Sequence, residues 1–316
     1  MPKITREDIQ IITKHSNWPE NSVAKALKNH VYTGKKAWHR FISLFLLVLG
    51  VSFTVLGIIF FFAYNWDKLH KFIKIGILEG LVIIGVLGVL VAQRKPLIQR
   101  IILTATTMLV GVLYAVFGQV YQTGANAYDF FLGWTLFVTV WAIVSNFPPL
   151  WVIYIALVNI TVVLYAEQVA NDWSEMYVFA LLFTINVLFL VLFLWLPKFL
   201  PLKVSPVWFT NVLALTAIAF STIGIIKGIG RGQDVFFNVL LIMTPVVYGL
   251  GIWYGLVMKR GFYLAIVPFS IIIIISAFLL NESDDAGMLL TIGVFIVTAV
   301  TFLIRFLNQI QKKWAS

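Results

Sequence analysis

Ten apolar runs, each about as long as a membrane is thick, constrain this chain more than any other feature. A bilayer core takes about 20 consecutive apolar residues of α-helix. With 61% apolar and 11% charged residues, the 316-residue chain does not suit an ordinary soluble fold. The sequence therefore predicts an all-α, polytopic integral membrane protein. The ten predicted helices span residues 41–64, 72–92, 100–120, 128–146, 150–166, 173–196, 207–227, 235–257, 262–280 and 288–306.

The basic residues alternate between the two ends of these helices. Cytoplasmic loops of membrane proteins carry an excess of Lys and Arg. If the first segment is cytoplasmic, the cytoplasmic segments hold 18 of the 23 Lys and Arg residues. The pattern predicts that the N-terminus and the C-terminus are both cytoplasmic. The formal charge of +10 is then a topology signal, and no nucleic-acid partner is expected, because the basic residues lie in short segments between apolar runs.

These boundaries divide the chain into four predicted regions. They are a short cytoplasmic helical head (1–40), four transmembrane helices (41–146), six further transmembrane helices (147–306) and a cytoplasmic basic tail (307–316). Between the fourth and fifth helices, Pro148 and Pro149 favour a tight turn over one long helix. The head is too small to bury much core. We expect it to dock on the membrane domain, a soluble partner or the anionic inner leaflet, or to serve only as a topology anchor.

Two polar stretches interrupt the first half of the chain. One is Asn65-Trp66-Asp67, after the first apolar run, and the other is Gly118-Gln119-Val120-Tyr121, which precedes a helix containing Trp134. In these motifs the chain resembles the bacterial membrane proteins grouped as domain of unknown function 2157, over roughly residues 1–150. The resemblance implies a multi-pass protein of the bacterial inner (cytoplasmic) membrane. It implies no reaction, because the family is named for having no established activity.

Both polar stretches are predicted at the same outer interface, where their side chains would converge on one ligand site. The alternative is structural, since Trp and Tyr favour membrane interfaces while Asn and Asp cap helices and fill turns. The predicted ligand-binding residues are Asn65, Trp66, Asp67, Glu79, Gln119, Tyr121, Asn126, Asp129 and Trp134.

Glu79 joins this set because it is the one carboxylate that lies deep inside a predicted helix, about two turns below its outer end. Intramembrane acids are costly unless paired or protonated, so they are functional candidates. Gly76 and Gly80 lie close to it on the helix and form a small-xxx-small surface, which predicts that Glu79 faces protein. It would then serve either a proton-coupled step or a hydrogen bond to Asn159, Asn186 or a threonine.

Pro245 and Pro268 lie inside the eighth and ninth predicted helices. A proline inside a helix frees a backbone carbonyl, which is tolerated at membrane depth where it lines a cavity or is buried in protein. These positions therefore predict either a cavity or simple kinks.

No enzyme motif is evident. The sequence has no Cys, no Gly-x-Ser-x-Gly and no His-Glu-x-x-His, so we expect no catalysis, no metal and no cofactor. The expected partner is the lipid bilayer, with a small-molecule or lipid ligand bound or transported at the outer-face site. The alternative is a membrane scaffold or sensor whose head, residues 1–40, contacts a cytoplasmic protein.

Overall fold

The computed structural model describes residues 6–32, 34–121, 124, 126–199, 205–230, 234–282 and 286–315, and within them the chain is helical with no strand. Residues 1–5 of the predicted head lie outside this description. The described residues form the following α-helices: α1 (Arg6–His15), α2 (Glu20–Ala26), α3 (Lys35–Tyr64), α4 (Lys71–Val91), α5 (Pro96–Tyr121), α6 (Ala127–Ser145), α7 (Pro148–Gln168), α8 (Glu175–Phe199), α9 (Val207–Gly228), α10 (Val235–Val257), α11 (Gly261–Glu282) and α12 (Ala286–Ala315).

Ten of the described helices, α3 to α12, are long and apolar enough to cross a bilayer. They coincide with the ten predicted runs, so the predicted fold class is confirmed. The turn between α6 and α7 is tight, as predicted. Asn146 adopts a left-handed backbone conformation with φ of 43° after α6, and Pro148 begins α7. Asn tolerates that conformation at a helix end, and Pro suits the first position of a helix.

The chain divides into two compact units, Met1–Leu113 and Tyr114–Ser316, which we call unit 1 and unit 2. The four regions predicted from the sequence, with boundaries at residues 40, 146 and 306, stay a prediction. Helix α12 continues to Ala315, so the described part of the predicted tail is helical.

In unit 1, α4 approaches α5 closely at a glycine. A Cβ placed on Gly85 would lie 3.1 Å from Cβ of Thr106, which is tighter than nearly all real contacts. Near the turn between the two helices, Gln99 Nε2 donates to the Val89 carbonyl at 3.2 Å. Helix α3 is different, because no residue of its most apolar stretch is buried. Unit 1 therefore exposes most of its apolar helix surface.

In unit 2, polar side chains join neighbouring helices near the middle of the bilayer span. Asn159 of α7 and Asn186 of α8 exchange two amide hydrogen bonds, at 3.2 and 2.8 Å, and both residues are buried. Thr135 of α6 lies 3.1 Å from Thr161 of α7, measured between the hydroxyl oxygens. Hydrogen bonds of this kind hold helices together where no water competes for the polar groups.

Helix α9 is the most buried of the candidate spans and carries a hydroxyl cluster. Tyr248 OH lies 2.9 Å from Ser221 Oγ and 2.6 Å from Ser270 Oγ, and Ser270 Oγ lies 2.6 Å from Thr222 Oγ1. The cluster joins α9, α10 and α11, and all four side chains are buried. Each hydroxyl therefore has a partner in an otherwise apolar core.

Unit 2 has two chemically different ends. At the first, α6, α8, α10 and α12 begin and α7, α9 and α11 end. The charged residues there whose side chains are described are Asp129, Glu167, Asp172, Glu175, Asp234 and Lys227, and we call it the acidic end. At the opposite end, the charged residues whose side chains are described are Lys259, Arg260, Arg305, Lys312 and Lys313, and we call it the basic end.

Candidate functional site

Asn65 ends helix α3 and is engaged in closing it. Its backbone N–H and its Nδ2 both donate to the Phe61 carbonyl, at 3.1 and 3.0 Å. The side chain therefore adds a second hydrogen bond to a carbonyl that the backbone already engages at the end of the helix. The structural alternative raised for the asparagine therefore describes what Asn65 does.

Trp66, the next residue of the motif, covers a buried lysine. Lys74 Nζ lies 3.7 Å from the centroid of the Trp66 ring, and the residue is 7% exposed. A cation over an indole face is attracted by the ring quadrupole, and the attraction is strongest when water is excluded. Asp67 is exposed. Lys74 was not singled out from the sequence, although a lysine in the first turn of α4 lies within reach of the motif.

The prediction that Glu79 faces protein across a glycine surface is wrong for the described chain. Glu79 is exposed, and a Cβ on Gly76 or Gly80 would meet no atom within 4 Å. The reason is helical spacing. The packed stripe of α4 runs through Lys74, Leu78 and Gly85, which share one face, whereas Glu79 lies well round the helix from that stripe.

In unit 2, the glycine of the second motif allows α5 and α6 to approach. A Cβ on Gly118 would lie 2.6 Å from Cζ of Phe130, so a larger residue would displace that ring. Gln119 and Tyr121 are exposed, and the Tyr121 ring packs on Phe117 with centroids 4.7 Å apart. The motif therefore combines one packing residue with side chains open to a ligand.

Asn126 and Asp129 build the start of α6. The Asn126 N–H donates to Asp129 Oδ2 at 3.0 Å, which is the carboxylate half of a capping box. In the same turn, the Tyr128 N–H donates to Gln168 Oε1 at 3.0 Å and joins α6 to the end of α7. Both polar side chains of the prediction are thus used in capping, while Asp129 stays exposed.

A cavity of about 280 Å³ lies at the acidic end, between α6 and α7, and we call it the acidic-end cavity. Its rings form a chain of edge-to-face contacts. Centroids are 5.2 Å apart for Tyr128 and Tyr165, and 5.1 Å apart for Tyr165 and Trp173. Trp134 lies further along α6, beside Phe131 at 5.8 Å. The cavity is lined by Tyr128, Leu132, Thr161, Val162, Tyr165 and Trp173.

The motif residues fall in both units, Asn65 to Glu79 in unit 1 and Gln119 to Trp134 in unit 2. Their convergence on one site stays a prediction. Among the described residues, no group of three His, Asp or Glu side chains is arranged to hold a metal ion.

Residues 18–151 match the family described as Predicted membrane protein (DUF2157). The match confirms the resemblance drawn from the two motifs and covers both of them. No curated protein and no solved structure matches the chain. The matched region runs from α2 to the first residues of α7, so it contains Trp66 and Lys74 but only the α6 side of the acidic-end cavity.

The two aromatic residues of that cavity that lie beyond the matched region, Tyr165 and Trp173, were missed by sequence reasoning. Both are aromatic residues near a helix end, where the preference for the membrane interface explains them without a site. Only the packing of α7 beside α6 brings them to Tyr128.

Proposed function

We propose that this protein is a non-enzymatic, multi-pass protein of the bacterial inner membrane that binds a small molecule or lipid carrying an organic cation. The site is the acidic-end cavity, which faces outward, and both termini are cytoplasmic. The observation that carries the proposal is the aromatic lining supplied by Tyr128, Tyr165 and Trp173. Aromatic faces attract organic cations by about 0.5–1 kcal/mol each at exposed sites and more when water is excluded.

Charge around the cavity supports the same ligand chemistry. No lining residue is basic. Asp129, Glu167 and Asp172 lie within two residues of a lining aromatic, and all three are exposed. Lys227, the described cation of this end, is paired with Glu175. Among the described residues of this end, a cationic ligand would therefore meet a net negative charge, and an anionic one would be repelled.

The direct test compares a cation with a neutral analogue of the same shape. Binding of choline and of 3,3-dimethylbutanol to the purified full chain is measured by calorimetry, with phosphatidylcholine nanodiscs to separate a lipid headgroup from a free molecule. We expect choline to bind at least fivefold more tightly than 3,3-dimethylbutanol. The substitution Trp173→Leu should weaken choline binding about fivefold. Trp208→Leu, at the basic end, is the control. Equal binding of both probes, or equal effects of the two variants, contradicts the proposal.

The unit 1 residues join this proposal through the predicted convergence of the two motifs. Because the chain has no native cysteine, the pair Asp67→Cys and Asn126→Cys is a clean crosslinking test. Disulfide formation in native membranes supports one shared site, and its absence under oxidant leaves unit 2 as the site. Transport is tested by uptake of labelled choline into proteoliposomes. The double variant Asp67→Asn with Glu79→Gln is expected to abolish uptake, and unchanged uptake refutes a role for these carboxylates in transport.

The orientation is tested on the same cysteine-free background. A membrane-impermeant maleimide added to intact cells is expected to label Asn126→Cys at the acidic end and to spare Lys312→Cys at the basic end. The reverse pattern would place the basic end outside and overturn the topology drawn from the charges.

A second candidate function, a scaffold or sensor acting through the head, is favoured by the apolar surface of α1. Ile9 is buried, at 2% exposure, and lines a cavity of the head together with the half-buried Val23 and Leu27. Ile11 and Ile12 point outward and are 60% and 45% exposed. A two-helix head that leaves these side chains uncovered suits a partner surface.

A photocrosslinking residue at Ile11, with one at the exposed polar Ser16 as control, tests the head in living cells. The scaffold function predicts a discrete protein adduct from position 11 and none from position 16. Lipid adducts alone would show that the head lies on the bilayer, and no adduct at either position refutes the candidate.

A further inference from the structure

A second cavity, of about 180 Å³, lies in the basic half of unit 2, and we call it the basic-end cavity. Four helices line it, and none of the lining residues is charged. Its hydroxyls are partly engaged elsewhere, since Tyr248 belongs to the hydroxyl cluster and Tyr263 OH donates to the Thr210 carbonyl at 3.5 Å. The lining residues that matter below are Trp195, Tyr248, Gly251, Trp253, Tyr263 and Val267.

The cavity adjoins a packed core that α8, α9 and α10 share. In the acidic half, Phe183 and Leu240 are fully buried in a shared core. Beyond Pro245 the residues of α10 line the cavity, and a Cβ on Gly251 would meet only Val267 Cγ2, at 3.7 Å. A proline inside a helix removes one backbone hydrogen bond and allows a kink. Of the two readings of Pro245, its position therefore favours a cavity.

An apolar cavity of this size is poorly suited to water. A cavity of about 150 Å³ lined by apolar side chains stays dry and accepts a benzene-sized molecule. The natural apolar occupant within a membrane is a lipid acyl chain. Helix surfaces bordering the cavity face outward, where Trp195 and Trp253 are 56% and 62% exposed. Tryptophan with one edge apolar and one polar is typical of the level at which acyl chains meet headgroups.

The turn that follows the cavity is cationic. Lys259 and Arg260 lie between α10 and α11, and both are exposed. The other described charges of this end, on α12, are also basic. Each Lys or Arg near an anionic membrane surface contributes about 1 kcal/mol of attraction. An acyl chain in the cavity that carried a phosphate headgroup would therefore meet complementary charge.

Lys259 also holds an unusual backbone conformation. Its φ is 52°, in the left-handed region, and the following Arg260 N–H donates to the Gly255 carbonyl at 2.8 Å to close α10. Glycine is the residue that helix ends of this geometry usually carry. A lysine here costs backbone energy, so its side chain is expected to supply something that glycine cannot.

We propose that the basic-end cavity binds one acyl chain of an anionic phospholipid whose phosphate is held by Lys259 and Arg260. The site lies at the opposite end of unit 2 from the organic-cation site and differs from it in ligand charge. Failure of either proposal therefore leaves the other standing.

The first experiment fills the cavity. The full chain is reconstituted in nanodiscs of phosphatidylglycerol and phosphatidylcholine in equal amounts, extracted into mild detergent, and its retained lipids are counted by native mass spectrometry. We expect retained phosphatidylglycerol to exceed phosphatidylcholine at least fivefold. Gly251→Leu should lose that retained lipid, because its side chain occupies the cavity. Gly249→Leu, two residues away on the exposed side of α10 with no atom within 4 Å of its Cβ, is the matched control.

The second experiment removes the headgroup contact without disturbing the cavity. Lys259→Gly suits the backbone, so it should match or raise the melting temperature of the lipid-free protein while lowering phosphatidylglycerol retention about fivefold. Arg260→Gln should lower retention similarly, and Lys227→Gln at the acidic end should not. The inference is overturned if Gly251→Leu and Gly249→Leu retain equal lipid. It is also overturned if the wild type shows no preference for phosphatidylglycerol, since ordinary bilayer solvation then explains the occupant.

Discussion

The two ends of unit 2 are built from the same helices and reach opposite surface chemistry. At the acidic end, α8, α9 and α10 share a buried core, and the acidic-end cavity beside α6 and α7 is walled in part by rings that touch edge to face. At the basic end, α10 carries Pro245 and Gly251, and the basic-end cavity is walled by aliphatic and aromatic side chains, none of them charged. Helix number and hydropathy therefore do not show where a site lies. The sizes of the residues at the helix contacts determine where a cavity remains.

A single methyl group added at each end should have opposite effects on stability. In Gly224→Ala, the new Cβ would lie 2.8 Å from Cβ of Phe179, which cannot move without the backbone of α8. Overpacking of this kind costs about 1–3 kcal/mol. Gly251→Ala has room and should stabilise by about 0.5–1 kcal/mol through helix propensity. The unfolding of both variants in detergent is monitored by circular dichroism. Stability changes of the same sign in the two variants would contradict the difference between the two ends.

The amide pair between the two ends should matter for stability and for neither ligand. Asn186→Leu leaves the buried Asn159 amide without its partner, at a cost of about 1–2 kcal/mol. The double variant Asn159→Leu with Asn186→Leu should recover part of that loss. Denaturant unfolding measures both. A double variant that loses as much as the sum of the two single variants would show that the amides act independently of each other.

Measuring both ligands on the variants of both cavities tests whether the two cavities act separately. Trp173→Leu should weaken choline binding about fivefold, equivalent to about 1 kcal/mol, and leave phosphatidylglycerol retention within twofold. Gly251→Leu should do the reverse. Calorimetry and native mass spectrometry on the same preparations check this. If each substitution weakens both ligands, the cavities are coupled and the two ends do not work separately.

The smallest effect is expected for the surface ion pair of the acidic end. Lys227 and Glu175 join α9 to α8, and both side chains are substantially exposed. Pairs of this kind contribute about 0.2–1 kcal/mol and are screened by salt. Lys227→Gln should therefore lower the melting temperature by a degree or two at low ionic strength and by less in 0.5 M salt. A larger loss that persists in salt would show that the pair is part of the core packing.

Local rules predicted part of the candidate site. Asn and Asp beside helix ends were recognised as caps, and Asn65, Asn126 and Asp129 act in that way. Glu79 was placed wrongly because two nearby glycines indicate only that a helix can approach, and the packed stripe of α4 lies elsewhere. The contact of Trp66 with Lys74 was missed because loop geometry decides which ring covers a neighbouring ammonium.

The two buried asparagines were also predicted only in part. Asn159 and Asn186 were named as partners for Glu79, because a polar residue in a span needs a hydrogen bond. Each satisfies the other instead, at distances that follow from how α7 lies on α8. The cost of an unpaired polar group within a membrane predicts that each amide is paired, but only the packing of the helices selects its partner.

The sequence by itself determined the ten membrane spans, the turn at Pro148 and the family relationship of residues 18–151. These depend on run length, on local backbone preference and on short motifs, all of which lie within a few residues of one another. Tertiary structure alone decided where space remains between helices. Each cavity wall is shared by residues from several helices, and contact between them depends on ångström-scale approach at residues such as Gly118, Gly224 and Gly251.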